Sequence, residues 1–222
     1  MKLNNNIAEL IGVIIGDGCI RYKPHLSQYY IEIVGDKNNE KEYFEYLNKM
    51  FIEELNLNAF IKVREGGLRL KVYSKTFIEF LVYKLKLPNN KDKCQNIFIP
   101  DVIFNNKNLL ISCLRGIMDT DGSLFLTNKG HRKNYPTIEI STTSQKLARQ
   151  LKNALKVRFR IGFRSYKPGR FHRIYRISLN GDKMIEKWYQ EIGFSNLRNL
   201  NKYRKYKEKW GYGDLNPEHL DV

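Results

Sequence analysis

Hydrophobic residues follow two different spacings along the chain, and together these spacings predict a protein built from both helices and strands. Residues 7–15 are apolar on nearly every side, which is typical of a buried helix. Residues 68–73 instead alternate apolar and charged side chains, which is typical of a strand with one buried face. The turn Glu65-Gly66-Gly67 joins that strand to residues 60–64, so the two are predicted to form an antiparallel hairpin.

Two series of such elements follow one another in the same order. Each series has an apolar helix ending at an Asp-Gly pair, two strands, an amphipathic helix, a hairpin and a closing helix, which predicts an αββαββα unit of the α+β class. In the first half the predicted strands are residues 19–23, 29–34, 60–64 and 68–73, and the later helices are 39–55 and 75–86. In the second half the predicted strands are residues 124–127, 137–141, 158–164 and 173–179. One predicted helix starts at Gln145, with Ser144 as its N-cap, and another covers residues 183–192.

The order of elements repeats because the sequence itself repeats. Residues 10–18 correspond to residues 114–122, at an offset of 104. Ile31-Glu32-Ile33 corresponds to Ile138-Glu139-Ile140, and Arg69 corresponds to Arg176, both at an offset of 107. Matches in the same order at a nearly constant offset predict a tandem duplication, with one repeat in residues 1–104 and the other in residues 105–222.

Small residues in the two apolar helices favour close packing between them. Gly12 and Gly16 are four residues apart, and so are Gly116 and Thr120. Residues at this spacing fall on one helix face, where a missing side chain lets a second backbone approach. We therefore expect the two helices to pack against each other about a pseudo-two-fold axis.

Each of these helices ends in an aspartate followed by a glycine. Gly18 and Gly122 are expected to take the left-handed conformation that ends many helices, which leaves Asp17 and Asp121 at the last helical positions, side by side. A helix C-terminus carries partial negative charge and two close carboxylates repel each other, so a cation is expected there. A hard divalent ion such as Mg²⁺ binds carboxylate and carbonyl oxygens, and paired ions can support a phosphodiester displacement. An ordinary helix end also explains either Asp-Gly pair taken singly.

Asp119, in residues 114–122, has no acidic counterpart in residues 10–18, where Ile15 holds the corresponding position. Arg115 lies four residues earlier, on the same face of the predicted helix. We therefore expect a structural ion pair between Arg115 and Asp119.

The composition adds a strong positive charge to this picture. The 222 residues include 39 Lys and Arg against 23 Asp and Glu, and the formal charge of +16 points to a polyanionic partner, with nucleic acid first. Residues 1–104 contribute +2 and residues 105–222 contribute +14. The second half is therefore expected to supply most of the salt-sensitive attraction.

Other residue types exclude several classes of protein. The 3 cysteines are too scattered for a disulfide framework, and the 4 histidines are too scattered for a zinc module. The longest apolar run, residues 10–15, is far shorter than the ~20 residues that span a bilayer, and residues 1–18 make a poor signal peptide. We expect a cytoplasmic protein that is neither secreted nor membrane-bound, with expression in an organelle left open.

Outward positions of the predicted strands are rich in Arg and Lys. Such side chains on an antiparallel sheet can contact base edges in the major groove of DNA or phosphates at its rim. A solvated charged face explains the alternation equally well, but residues 158–176 contain seven basic and no acidic side chains, which favours DNA contact. The candidate DNA-contacting residues are Arg21, Lys23, Lys62, Arg64, Arg69, Lys71, Arg132, Lys133, Arg158, Arg160, Arg164, Arg173 and Arg176.

The motifs and their surroundings resemble the LAGLIDADG homing endonucleases, in the form in which one chain carries two motifs. The resemblance rests on residues 10–18 and 114–122, on Ile99-Pro100 before the second motif, and on residues 192–203, and it extends over nearly the whole chain. It implies a pseudo-two-fold monomer whose antiparallel sheets form a saddle over double-stranded DNA, with the motif helices packed at the interface. It also implies sequence-specific cleavage of both strands across the minor groove, leaving short 3′ overhangs.

The resemblance further implies an intron-encoded enzyme that uses Mg²⁺ or another divalent cation such as Mn²⁺. In this family the last acidic residue of each motif binds metal, which carries over to Asp17 and Asp121, and the carbonyls of Gly16 and Thr120 match positions that often add ligands. An intron RNA maturase, or a non-cleaving nucleic-acid-binding protein on the same scaffold, is an alternative that the sequence leaves open.

Polar residues around the metals in this family also have counterparts here. Asp36 and Lys37 follow the second strand at a position where a Gln-Lys pair is common, and Lys93 and Lys202 match the basic residue of each half. The second half has Thr142-Thr143 in place of Asp36-Lys37, so the two half-sites are expected to be chemically unequal.

Overall fold

The structure, a computed structural model, describes residues 1–89, 93–129 and 132–211, with the side chains of residues 132 and 209–211 outside that description. The first repeat contains α1 (Asn5–Ile15), β1 (Gly18–Lys23), β2 (Gln28–Gly35), α2 (Lys41–Leu55), β3 (Phe60–Arg64), β4 (Gly67–Tyr73) and α3 (Lys75–Glu79), which continues as a π-helical segment (Phe80–Lys84). Two short helices follow, α4 (Lys93–Asn96) and α5 (Asp101–Phe104). The second repeat contains α6 (Lys107–Asp121), β5 (Gly122–Lys129), β6 (Arg132–Thr142), α7 (Gln145–Lys156), β7 (Ile161–Tyr166), β8 (Ile174–Asn180), α8 (Asp182–Glu191) and α9 (Leu197–Gly211).

The strands form two four-stranded antiparallel sheets with the same topology. The strand orders are β1-β2-β4-β3 and β5-β6-β8-β7. The two hairpins of each sheet therefore join at its centre, where β2 pairs with β4 and β6 pairs with β8. In the first sheet Ile31 pairs with Val72 and Ile33 with Leu70, and all four side chains are buried. One face of each sheet is thus covered by helices, and we call the opposite face the outer face. The predicted α+β duplication is confirmed.

The motif helices α1 and α6 pack against each other at the centre of the molecule. A Cβ atom placed on Gly12 would lie 2.2 Å from the carbonyl oxygen of Cys113, and one on Gly116 would lie 2.3 Å from that of Glu9. Only glycine permits so close an approach of two helix backbones. The interface predicted from the spacing of small residues is therefore confirmed.

The glycines that follow the two aspartates are needed for a different reason from the one predicted. Gly122 has φ −97° and ψ 162°, which is extended backbone, and neither it nor Gly18 has a positive φ. A Cβ atom on Gly18 would lie 2.6 Å from the Cα atom of Ile14, and one on Gly122 would lie 2.5 Å from the carbonyl oxygen of Met118. The chain doubles back so tightly from helix to strand that a side chain does not fit, and the predicted left-handed conformation is wrong.

The strand predicted at residues 158–164 begins later, at Ile161. The amides of Arg158 and Phe159 donate to the carbonyl of Leu155 at 3.0 and 2.8 Å, so the backbone continues as a turn beyond α7. Phe159 is buried against Trp188, with the ring centroids 5.9 Å apart. The predicted outward strand position of Arg158 is therefore wrong, and Arg160 precedes the strand.

The end of the first repeat, residues 93–104, packs against the second repeat. Gln150 of α7 exchanges two hydrogen bonds of 2.8 Å with the backbone of Ile99, and Ser144 donates to the carbonyl of Ile97 at 2.6 Å. Ser144 also accepts from the amide of Leu147 and caps α7, as predicted. These contacts fix α4, and with it Lys93, beside the ends of the motif helices.

Candidate active site

The structure brings the two motif aspartates to one cleft. Asp121 is the last residue of α6, whereas α1 ends at Ile15 with Gly16 as its C-cap, so Asp17 lies two residues beyond the helix rather than at its end. The cleft has a volume of about 620 Å³ and is lined by both aspartates together with Lys93, Cys19, Cys94 and residues 141–143. It therefore joins the ends of both motif helices to the start of β1 and the end of β6.

The two carboxylates lie in an environment that disfavours negative charge. Partial burial and the charge of Asp17 raise the pKa of Asp121 to about 7. Partial burial and the charge of Glu40 raise the pKa of Asp17, against the attraction of Arg198 and Lys93. Neither carboxylate accepts a hydrogen bond within residues 1–89, 93–129 and 132–211. The pair is thus a strong attractor for a cation.

Lys93 supplies a fixed cation beside the aspartates. Its buried ammonium donates to the carbonyls of Ile14 at 2.8 Å and Gly16 at 3.1 Å, and also to that of Gly18. Burial lowers the pKa of Lys93, while the charge of Asp121 acts in the opposite direction. The ammonium therefore neutralises the C-terminal end of α1 and lies close to the carboxylate of the other motif.

The donor set of the cleft fits a hard divalent cation that keeps water and substrate ligands. Across the described part of the chain, no group of three or more His, Cys, Asp or Glu side chains is placed to hold a metal. Two carboxylates alone are a partial shell, which suits Mg²⁺ because that ion commonly binds one or two carboxylates together with waters and phosphate oxygens. The carbonyl of Gly16, a predicted ligand, is already hydrogen-bonded to Lys93. The hydroxyl of Thr120 donates to the carbonyl of Gly116 at 2.9 Å, within α6.

Asp36 and Lys37 lie in the turn between β2 and α2. The carboxylate of Asp36 accepts from the amide of Asn38 at 2.8 Å and from the side chain of Asn39 at 2.6 Å, and these bonds lower its pKa. Lys37 is exposed. The carboxylate of Asp36 thus stabilises its own turn, and its predicted place in the site stays a prediction.

Lys202 projects from α9 toward the start of β5. Its ammonium lies 3.5 Å from the hydroxyl of Ser123, the second residue after Asp121, and its pKa is lowered by burial and by the charge of Arg198. Ser123 follows Asp121 as Cys19 follows Asp17 in the first repeat. Lys202 and Lys93 thus each approach the first strand of their own repeat.

Arg198, Glu40 and Asn196 form a buried polar cluster beside Asp17 that the sequence analysis did not identify. The carboxylate of Glu40 accepts from Arg198 at 3.2 Å, from the side chain of Asn196 at 2.7 Å and from the amide of Asp36 at 2.7 Å. Glu40 and Asn196 are 156 residues apart in the chain. No local pattern connects them, and the signal for Asn196 and Arg198 is their place in residues 192–203, which carry part of the family resemblance.

Asp119 belongs to the same cluster, and the predicted pair with Arg115 is wrong. Its carboxylate accepts from the amides of Ser195 at 2.6 Å and Asn196 at 3.0 Å, ahead of α9. Arg115 instead pairs with the buried Glu9 of α1 at 3.0 Å and donates to the carbonyl of Ile192 at 2.7 Å. The cause is tertiary: the close packing of α1 on α6 brings Glu9 to Arg115.

The outer face of the first sheet carries every basic residue predicted for it. Inward residues such as Leu70 are buried, and the register places their neighbours outward. Glu32 also faces outward, 3.1 Å from Arg69 and 3.5 Å from Lys71. A concavity of about 550 Å³ on this face is lined mainly by charged and aromatic side chains. The predicted residues on this face are Arg21, Lys23, Lys62, Arg64, Arg69 and Lys71.

The outer face of the second sheet carries part of its predicted set. Arg164 of β7 and Arg176 of β8 are direct cross-strand partners, and Arg176 lies 3.5 Å from Glu139. Arg173 precedes β8 and donates to Ser165 at 3.2 Å. Lys133 is exposed on β6, whereas the side chain of Arg132 lies outside the described residues.

Arg158 is the predicted residue that the structure removes from this surface. Its guanidinium lies 2.7 Å from the carboxylate of Glu191 at the end of α8. It borders a groove of about 420 Å³ that α6 and α7 line on the helical side of the sheet. This ion pair accounts for Arg158 without a partner molecule.

Residues 108–193 match the LAGLIDADG-like domain family. A protein of Methanocaldococcus jannaschii, named "Uncharacterized protein MJ0314", is 31% identical over 153 residues, which are 66% of this chain and 53% of that protein. The chain therefore spans about half the length of this relative.

Solved structures share the fold at low sequence identity. The homing endonuclease I-DmoI, in complex with DNA and Mn, matches with a TM-score of 0.58 and 20% identity over 86% of this chain and 97% of its own. I-WcaI, bound to its DNA recognition sequence, matches with a TM-score of 0.57 and 16% identity over 90% of this chain and 87% of its own. Full-length DUF199/WhiA from Thermatoga maritima matches with a TM-score of 0.57 and 15% identity over 93% of this chain but only 60% of its own.

The architecture is therefore that of the LAGLIDADG homing endonucleases: duplicated sheets around paired motif helices. The LAGLIDADG-like domain match lies in the second repeat, and the chain as a whole shares the fold of these homing endonucleases. Within the described residues no helix has the length and apolar character needed to cross a membrane.

Proposed function

We propose that the protein is a sequence-specific endonuclease that hydrolyses both strands of a DNA duplex with Mg²⁺ or Mn²⁺ and leaves short 3′ overhangs. The observation that carries this proposal is the pair Asp17 and Asp121, which share one cleft, accept no hydrogen bond from the described residues and have raised pKa values. Such a pair needs cations, and phosphodiester hydrolysis is the chemistry that paired hard cations support on a basic surface.

Different residues of the cleft would bind the cations and balance the charge. Asp17 and Asp121 would hold the divalent cations, with the carbonyls of Gly16 and Thr120 as the predicted further ligands. When bound, these ions supply Lewis-acid stabilisation of the charge that develops on the phosphate. Lys93, fixed by three carbonyls, would balance the negative charge of the cleft. Lys37, Lys202 and Asp36 stay proposed members of the surrounding polar shell.

The outer faces of the two sheets would hold the DNA on either side of the cleft. Each sheet begins at a motif aspartate, because β1 starts at Gly18 and β5 at Gly122. A duplex lying along both faces would therefore place one strand near each carboxylate. Two motifs in one chain supply both half-sites, so we propose that the protein acts as a monomer. The family resemblance supports the further proposal that it is encoded within an intron.

The proposal is tested by incubating the full chain and Mg²⁺ with a plasmid that carries the joined flanks of its reading frame. The expected result is one defined double-strand cut with short 3′ overhangs. Defined binding without a cut in either Mg²⁺ or Mn²⁺ would favour the non-cleaving alternative. Accelerated splicing of the host intron RNA, in place of DNA cleavage, would favour the maturase.

A further inference from the structure

Each sheet pairs a glutamate and an arginine on its outer face. Glu32 lies 3.1 Å from Arg69 across β2 and β4, and Glu139 lies 3.5 Å from Arg176 across β6 and β8. Both glutamates and both arginines are related by the same offset of 107 residues. The pairs are therefore equivalent by the duplication, although the sequence around them has diverged.

A glutamate is unexpected on a surface that would meet a polyanion. Its role follows from the like-charged pair of basic residues beside it. Arg69 is the direct cross-strand partner of Lys62, and Arg176 is that of Arg164. Like charges directly opposite each other destabilise a sheet. In both sheets the glutamate relieves this repulsion and holds the arginine in one orientation.

The two arginines contact their glutamates through different nitrogen atoms. Nη1 of Arg69 donates to Glu32 at 3.1 Å, whereas Nε of Arg176 lies 3.5 Å from Glu139 and its Nη2 donates to the hydroxyl of Tyr166 at 2.8 Å. The Nε atom of each is buried and makes no hydrogen bond with the residues that the structure describes. Each arginine side chain is nevertheless 43% exposed, against 17% for Glu32 and 20% for Glu139. The arginine is thus the accessible member of each pair, with an acceptor beside it.

An arginine next to a glutamate matches the major-groove edge of a G·C base pair. Guanine presents two acceptors, O6 and N7, which suit the donors of arginine, and cytosine presents the N4 amino group, which suits a carboxylate. An A·T pair presents neither two adjacent acceptors on the purine nor a donor on the pyrimidine. The pair therefore distinguishes G·C from A·T with both of its members.

We propose that Glu32–Arg69 and Glu139–Arg176 each recognise one G·C base pair, at equal distances from the centre of the DNA target. The inference rests on the function proposed above, because it requires a duplex on both outer faces. It assigns a recognition role to two acidic residues and predicts a symmetric feature in a target whose half-sites otherwise differ.

The test is a binding selection from a randomised duplex library with the full chain, followed by sequencing of the bound duplexes. Wild-type protein is expected to enrich one G·C pair in each half-site, at matching distances from the centre. Arg69→Gln should abolish the G·C preference, of about tenfold or more, in one half-site and Arg176→Gln in the other, and an A·T preference can replace it because glutamine matches adenine. Glu139→Gln should weaken the same G·C preference that Arg176→Gln affects. It should not lower the overall affinity for DNA, because it removes a negative charge from the DNA-facing surface.

Arg64→Gln provides the matched control. Arg64 lies on the same outer face and makes no ion pair in the described part of the chain, so its loss should weaken binding to all sequences alike. Enriched duplexes without symmetric G·C pairs would overturn the inference, and so would uniform losses for Arg69→Gln and Arg176→Gln. Failure to enrich any duplex would contradict the proposed function, and this inference with it.

Discussion

The guanidinium of Arg198 lies 3.2 Å from the carboxylate of Glu40 and joins α9 of the second repeat to the N-cap of α2 in the first. Glu40 also raises the pKa of Asp17, and Arg198 lowers it. The pair therefore links the two repeats and sets the charge beside one motif aspartate at the same time.

Replacing Arg198 with alanine should destabilise the protein, because it leaves the buried carboxylate of Glu40 without its cation. Glu40 keeps its bonds to Asn196 and Asp36, so we expect the free energy of unfolding to fall by about 2 kcal/mol rather than by the full cost of an unpaired charge. Urea denaturation measures the change. Arg204→Ala, an exposed change on the same helix, should have little effect. Equal stability of the two variants would show that the Arg198–Glu40 pair does not hold the repeats together.

Gly12→Ala should disrupt the interface of the motif helices. The added Cβ atom would lie 2.2 Å from the carbonyl oxygen of Cys113, so the helices must separate, and overpacking of this kind costs about 1–3 kcal/mol or more. Thermal and urea unfolding give the size of the loss. Gly66→Ala, whose Cβ atom would meet nothing closer than 3.9 Å, should change stability by less than about 0.5 kcal/mol. A tolerated Gly12→Ala change would contradict the packing described for α1 and α6.

The stabilising contact between α8 and α9 should depend on pH. Lys207 and Tyr203 donate to Glu186 at 3.0 and 2.8 Å and lower its pKa from the ordinary value of 4.5. Because the folded-state pKa is the lower one, the contribution of Glu186 is complete above pH 4.5 and is lost as the pH falls through the folded-state value. Glu186→Gln should therefore lower stability at pH 7, by less than about 1 kcal/mol since the site is partly exposed, and have a smaller effect at pH 3. A difference that is the same at both pH values would contradict this origin.

Arg158 and Arg164 should behave differently although both lie in the same basic stretch. Arg164 faces outward beside Arg176, so Arg164→Gln should reduce the slope of log binding constant against log salt concentration by about 1. Arg158 is paired with Glu191, so Arg158→Gln should leave that slope unchanged and slightly lower the stability of the fold. DNA binding measured at several salt concentrations separates the two variants. A change of slope for Arg158→Gln would show that DNA contacts Arg158, and it would contradict a duplex bound on the outer face of the sheet.

The internal repeat made most of the fold predictable. The positions of β1 to β4 and the packing of α1 on α6 follow from local patterns, because alternation and the spacing of small residues act within a few residues. Where tertiary contacts decide, the patterns fail. Phe159 continues the apolar alternation of β7, but its burial against Trp188 turns the chain before the strand begins.

The candidate site was predictable to the same extent. Asp17, Asp121 and Lys93 occur in motifs, and the structure places all three in one cleft. Glu40 occurs in no motif, and although Arg198 lies within residues 192–203, no pattern pairs it with Glu40, since only folding brings residues so far apart in the chain together. The same reason explains why Arg115 pairs with Glu9 of the other helix instead of with Asp119, four residues away.

The central claim, that Asp17 and Asp121 form a cation-dependent hydrolytic centre, is tested most directly by DNA cleavage with Asp17→Asn and Asp121→Asn. Neither carboxylate accepts a hydrogen bond from the described residues and both are partly desolvated, so the asparagine variants should fold with equal or greater stability and still bind the target. We predict that both lose double-strand cleavage in Mg²⁺ and Mn²⁺, while Arg158→Gln retains it. Cleavage at the wild-type rate by either folded asparagine variant would contradict the account.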